Sequence, residues 1–275
     1  MDSRQQHNLG IIISTMRGRL WDNKALVANV RNLDLPTVVV NQDPARFHVE
    51  SREEDGCLLV INTPQTGLSS SRNLLLQNAT FQFAILCDDD VELIEDEVLG
   101  FAKFLNQLDH PDNLFFHSIL LGIGKNPWRA KYPKHASSID ASDAMFWRKI
   151  QRVNSMELVL NVEWLRRNDI QFDTNFGLGS RSTNGGEEVL LLHKALTSGA
   201  KLYFYNHPLR FHEGESSGQV LDALGAYTRG LVHRKTAMWI WWPALVLRFV
   251  WRSRVAANPL KLIRRYMTGL LNTAT

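Results

Sequence analysis

Over its first 120 residues the chain alternates short β-branched apolar runs with amphipathic stretches, the pattern of βαβ units on a mainly parallel sheet. Strands are expected at Leu9–Ser14, at Thr37–Val40 (opened by Pro36), at Cys57–Ile61 and at Phe81–Cys87. Between them the spacing predicts helices over Asp22–Asn32, with Asp22 as N-cap, and over Ser69–Gln77. Ile94–Leu108 reads as an amphipathic helix with an acidic first turn, and Leu114–Leu121 as another strand. Residues 122–143, rich in Gly, Pro, Ser and basic side chains, read as a long surface loop of the kind that carries function. A strand and a short helix are expected within 156–170, a flexible loop at 177–186, a helix at Glu187–Ser198 and a strand at Lys201–Tyr205. No internal repeat is evident.

A length of 275 residues fits one large α/β domain (1–220) followed by a basic, Trp-rich tail (221–275) that is expected to be helical. With 44% apolar and 21% charged residues, the composition excludes a disordered, collagen-like or polytopic membrane protein. The net charge of +3 gives no ground for a nucleic-acid partner, but its distribution is uneven. Nine of the 31 basic residues lie after Asp222 and no acidic residue does, so positions 1–222 hold 22 basic against 28 acidic residues. Such asymmetry points to an anionic partner for the tail. Within it, Ala237–Trp251 carries four of the eight tryptophans, and its fifteen residues fall short of the ~20 that span a bilayer. Two cysteines, Cys57 and Cys87, exclude a disulfide framework. The polar start of the chain shows no signal-like apolar run, so cytosolic chemistry is expected.

Three constellations could carry chemistry. Asp88-Asp89-Asp90 follows an apolar strand, and three adjacent carboxylates repel each other unless a cation neutralises them. A hard divalent ion with oxygen ligands does so, at the strand end where open α/β sheets bind ligands. The plainer reading is a solvated acidic turn before the next helix. Glu187-Glu188 opens a helix after Gly185-Gly186; the pair either complements the helix dipole or supplies a general base. His212 is placed after a strand as a metal or phosphate ligand, or is simply a loop histidine. Gly214-x-Ser216-x-Gly218 matches a hydrolase nucleophile elbow, but only Asp222 and His233 remain downstream to complete a triad, which disfavours it. The loop at 177–186 matches neither glycine-rich phosphate fingerprint.

In order and spacing these segments resemble the family 2 glycosyltransferases of the GT-A fold, of the bacterial polysaccharide-biosynthesis type, over about residues 8–218. GIIISTMRGR is similar to the family's opening strand and loop, without the usual Pro and Tyr, and VVVNQD to its second strand. GLSSSRNLLLQNATFQFAILCDDDVEL resembles its Arg-Asn helix and acidic metal-binding triplet. GGEEVLLLHKALTSGAKLYFY resembles its Gly-Glu-Asp motif, with Glu188 where Asp is usual, and FHEGESSG its closing His loop.

The resemblance implies a metal-dependent, inverting transfer of a sugar from a nucleotide-sugar donor, UDP being the commonest type, to a glycan or lipid-linked acceptor. It implies Mn²⁺ or Mg²⁺ held by Asp88, Asp90 and His212. Thr15, Arg17, Asp43, Arg72, Asp88 and Asp89 would contact the donor, and Glu188 or Glu187 would act as base. The Trp-rich tail would touch a membrane at its inner face through 237–265, or pack on the catalytic domain or a second subunit. Alternatives that use the same residues are a metal-dependent phosphohydrolase or nucleotidyltransferase, and a non-catalytic carbohydrate-binding scaffold.

Overall fold

In the computed structural model, residues 8–122, 127, 132–180, 182–212, 222–237, 241–254, 256 and 258–272 are described. The ten strands among them are β1 (Leu9–Met16), β2 (Thr37–Gln42), β3 (Ser51–Asp55), β4 (Leu58–Thr63), β5 (Phe83–Asp88), β6 (Glu92–Leu93), β7 (Leu114–Leu121), β8 (Ser138–Ile139), β9 (Leu158–Asn161) and β10 (Lys201–Phe211). They form one sheet in the order β3-β4-β2-β1-β5-β9-β7-β10-β6, with β8 also paired to β10. The neighbours β4-β2-β1-β5 and β7-β10 are parallel. β3, β6, β8 and β9 run the opposite way.

Helices cover both faces, which is why the central strands carry continuous apolar runs, Ile11–Ile13 and Val38–Val40, rather than alternating. Every residue of β2 is buried, and so is every residue of β1 except Met16. Ile11 and Ile13 point to one face, where α1 (Lys24–Leu33) contributes Leu26 and Val30 and α3 (Glu95–Leu105) contributes Val98 and Phe101. Ile12 points to the other. There α2 (Leu68–Asn78) supplies Leu75, and α4 (Phe146–Ile150) and α5 (Val162–Arg167) supply Ile150 and Leu165. α6 (Glu187–Thr197) adds Leu192 and α7 (Ala223–Thr236) adds Leu231 and Val232. The remaining helices, α8 (Trp242–Ser253) and α9 (Pro259–Leu271), pack against α7 around Phe249, Leu262 and Tyr266. α7 and α9 cross closely because both carry glycine at the contact. A Cβ on Gly230 would lie 2.1 Å from the Tyr266 carbonyl, and one on Gly269 2.2 Å from that of Tyr227.

Four features depart from the sequence expectation. Asp22 closes a short 3₁₀ turn (Arg19–Asp22), and Asn23 caps α1 instead. The Asn23 amide accepts from Leu26 N and donates to the carbonyls of Asp89 and Val91, a dual role that a carboxylate cannot fill. β3 was not foreseen, because a fully exposed Ser-Arg-Glu-Glu-Asp edge strand has no apolar signature; its charges suit an unpaired edge. β9 is wedged antiparallel between β5 and β7. β10 runs on to Phe211 past register irregularities on either side of Pro208, a residue that cannot donate to the ladder. Most of the loop at 122–131, residues 213–221 with the Gly214-x-Ser216-x-Gly218 match, and Trp239 lie outside the described residues. Among the described residues no helix is long and apolar enough to cross a membrane.

Candidate active site

Parallel strands deliver their C-terminal ends to one edge of the sheet, where they line an open cleft of about 770 Å³. β1 contributes Ser14 and Thr15, β2 Gln42, β5 and the following turn Asp88, Asp89 and Asp90, and the end of β10 His212. Facing them are Gly185–Glu188 at the start of α6, the 151–156 segment after α4, and Thr228, Arg229 and Val232 of α7.

The acidic triplet is resolved by three basic side chains from three elements. Asp88 Oδ1 lies 3.2 Å from Arg72 Nη2, Asp89 Oδ1 3.0 Å from Arg19 Nη2, and Asp90 Oδ2 3.3 Å from His212 Nε2. Arg19 and Arg72 therefore offset the repulsion at Asp89 and Asp88, and His212 hydrogen-bonds the third carboxylate. Asp89 points inward, taking a 2.7 Å hydrogen bond from Thr15 Oγ1 as well. Burial raises its carboxyl above the usual range, against the pull of Thr15 and Arg19. Asp90 is the open member, with half its side chain exposed, and the His212 hydrogen bond holds its carboxyl below the usual range.

Arg72, in α2, is fully buried and joins the two halves of the site. Its Nη1 donates to Glu187 Oε1 at 2.7 Å while Nη2 reaches Asp88. The neighbouring Asn73 exchanges two hydrogen bonds with the Phe172 backbone, 2.8 and 2.9 Å long, which fixes α2 to the segment leading into the 177–186 loop. Gly186 caps α6 with φ +82°, and a Cβ there would come within 2.6 Å of Val232 on α7, so both backbone angle and space require glycine. The two glutamates that follow are unlike. Glu187 is buried and held by Arg72, its Oε2 having no hydrogen-bond partner among the described residues. Glu188 is half-buried and lines the cleft, and burial together with the adjacent Glu187 pushes its carboxyl up to about 8.

Two expected donor contacts lie off the cleft wall. Asp43 caps its own turn, accepting from Ala45 N and Arg46 N. Arg17 is exposed, with a left-handed backbone (φ 55°). Arg19, Gln42, Arg152 and Arg229 line the cleft without having been singled out. Arg19 sits in the quoted first loop; Arg229 belongs to the acid-free tail, and no spacing rule indicates that the tail folds back to the sheet edge. Among the described residues no three His, Cys, Asp or Glu side chains gather into a metal cage. What the cleft offers a cation most openly is one carboxylate and one imidazole, Asp90 and His212, while Asp88, expected as a further ligand, also lines the cleft but is tied through Oδ1 to Arg72. That donor pair suits Mn²⁺, which accepts both oxygen and nitrogen, better than Mg²⁺.

No protein-family model matches the sequence, and no curated protein matches it. Solved structures do match in fold. Staphylococcus aureus TarS is 13% identical with a TM-score of 0.58 over 82% of this chain and 39% of that one. The TarS 1–349 structure in complex with UDP gives 0.54 at 12% identity, covering 94% and 90%. GalNAc-T7, solved with UDP, GalNAc and Mn²⁺, gives 0.53 at 13% identity, covering 98% and 55%. The chain thus spans about two fifths of the TarS chain it aligns with over 82% of its own length. The architecture is the GT-A glycosyltransferase fold, a mixed α/β sheet flanked by helices.

Proposed function

We propose that the protein is an inverting glycosyltransferase that moves a sugar from a nucleoside-diphosphate donor, a UDP-sugar, to the hydroxyl of a glycan or lipid-linked acceptor in polysaccharide synthesis. The observation that carries this is one cleft on a GT-A sheet lined both by the open Asp90 carboxylate with its buried partner His212 and by Glu188, whose carboxyl burial and Glu187 push up to about 8.

The residues divide the work as follows. Asp90 and His212 would hold Mn²⁺ or Mg²⁺ at the diphosphate end of the donor. When bound, the ion supplies Lewis-acid stabilisation of the departing diphosphate. Asp89, Thr15 and Arg19 brace the turn that carries Asp90, while Arg72 fixes Asp88 relative to Glu187. Glu188, rather than Glu187, takes the acceptor proton: Glu187 is committed to Arg72, whereas Glu188 has a pKa of about 8 and titrates near neutral pH, where a general base works best. Glu188 being deprotonated only as pH rises towards 8, the rate climbs with pH over that range.

The tail supports a second contact. Trp241 packs near Trp147 and Trp242 lies under Arg234, but Trp251, Leu247 and Leu260 are exposed beside Arg254 and Lys261. Exposed aromatic and apolar side chains among basic ones suit peripheral contact with an anionic membrane, where aromatic side chains sit at headgroup depth.

The test is Glu188→Gln. UDP release from a panel of UDP-sugars with Mn²⁺ and candidate acceptors should fall by ~10²–10⁴, the usual contribution of a general base, while UDP binding persists. Unchanged turnover would remove Glu188 from the mechanism.

A further inference from the structure

Near the α6 side of the cleft the fold brings together five arginines from three elements. Arg148 is in the last turn of α4 and Arg152 follows it by one turn. Arg229 is on α7, and Arg248 and Arg252 lie one turn apart on α8. The elements are locked in register. Leu245 of α8 packs on Trp147 of α4, and Phe249 stacks on Tyr266 of α9 with centroids 4.2 Å apart. The Tyr266 hydroxyl meets His233 Nδ1 of α7 at 2.7 Å, and His233 Nε2 meets Gln151 Oε1 at 3.0 Å, beside Arg152. Arg152 and Arg229 line the same cleft as Glu188, and Arg229 is half-buried.

The charges bearing most strongly on Arg248 are Arg148, Arg252 and Arg152, and those on Arg229 include Arg252 and Arg248; no carboxylate is among them. Burial first, and then these like charges, leave the Arg229 and Arg248 guanidiniums less willing to hold their protons than usual. Burial, with Arg229 and Arg248 nearby, pushes His233 down to about 3, so it stays neutral and adds only hydrogen bonds. With no acidic residue anywhere after Asp222, the tail has no carboxylate of its own to relieve this repulsion. Like charges gathered on a braced scaffold, with Arg152 and Arg229 lining the cleft itself, match an anion, and arginine forks match phosphate oxygens bidentately.

We propose that Arg148, Arg152, Arg229, Arg248 and Arg252 form a phosphate-binding subsite on the acceptor side of the cleft, and that the acceptor in the proposed transfer is a phosphate ester. The inference rests on the glycosyltransferase reading and names the class of molecule whose hydroxyl Glu188 would deprotonate. Four of the five arginines are exposed, so the subsite opens to solvent and can hold a phosphate whose remaining chain extends out of the cleft.

The experiment titrates the full chain with glycerol 3-phosphate and with glycerol, following tryptophan fluorescence. Parallel titrations use phosphatidylcholine vesicles with and without phosphatidylglycerol, and UDP with Mn²⁺. The variants are R248E/R252E, which changes exposed side chains, and R229Q, each checked for an unaltered melting temperature. The expected result is salt-sensitive binding of glycerol 3-phosphate but not glycerol, weakened about tenfold or more in both variants, as loss of a charge-assisted hydrogen bond predicts. Equal binding of phosphate and alcohol, or variants that bind as the parent does, overturns the subsite while leaving the transferase reading intact if UDP still binds. Binding to anionic vesicles without binding to the soluble ester assigns the arginines to a membrane surface and overturns the acceptor role. Ester binding without any UDP binding removes the transferase reading, and the acceptor role with it.

Discussion

At the scale of single residues, the site depends on how each acid is neutralised. Arg72 has no access to water and serves two carboxylates, so Arg72→Ala strands Glu187 in the interior and frees Asp88. Removing one partner of a buried pair costs about 3–5 kcal/mol, and urea unfolding should show a loss of that order. A loss below about 1 kcal/mol, the range of surface pairs, would mean that Arg72 is not structural. Glu188 carries the opposite sign. Its folded pKa of about 8 lies above the ordinary 4.5, so between those values the folded state holds a proton that the unfolded chain has released. Stability from this group is present at pH 4.5 and lost as pH rises to about 8. Glu188→Gln should therefore gain melting temperature relative to the parent across that window, and little below it. Parallel melting curves from pH 5 to 8 check this, and a constant difference would contradict it. The triplet was legible in the sequence as a site, but its internal logic was not. Carboxylate repulsion suggested one cation, whereas Arg19, Arg72 and His212 come from distances of 16 to 122 residues along the chain, which no local spacing encodes.

At the scale of elements, the strands with the strongest apolar runs were legible because burial on both faces demands continuous Ile, Val and Leu. β1, β2, β4 and β5 all belong to that class. β3 has no such signature because its residues answer to solvent and to an edge rather than to a core. The tail was legible as helical, but its docking depends on Gly230 and Gly269, isolated glycines whose purpose appears only when α7 and α9 cross. Gly230→Ala would place a methyl group into the Tyr266 carbonyl, where the clash is with backbone and cannot be relieved by a rotamer change. Overpacking of this kind costs about 1–3 kcal/mol. Because α7 also carries Arg229, Val232 and His233 along the cleft, the same substitution should weaken ligand binding as well as lower the melting temperature. An Ala variant with unaltered stability would show that the two helices are not in contact as described.

At the scale of the whole molecule, sheet, helices and tail converge on one edge. The sheet supplies strand ends, α2 supplies the arginine that joins the halves, α6 supplies Glu188, the proposed base, and α7 lines the cleft with Thr228, Arg229 and Val232. Chelation should separate the parts: EDTA or Asp90→Ala should remove nucleotide-sugar binding without unfolding the protein, since Asp90 is half exposed and its partner His212 stays buried. The central claim, that this cleft receives a nucleotide-sugar with a divalent ion, is tested most directly by thermal shift of the full chain. The panel is UDP-, GDP-, CDP- and dTDP-sugars, each with Mn²⁺, with Mg²⁺ and with EDTA. A ligand that binds only the folded state raises its stability by mass action, about 2.7 kcal/mol at one hundred times its Kd. The account predicts a rise with UDP-sugars that needs metal, is larger with Mn²⁺ and disappears in Asp90→Ala. No rise with any nucleotide, under conditions where metal alone stabilises the protein, would contradict it.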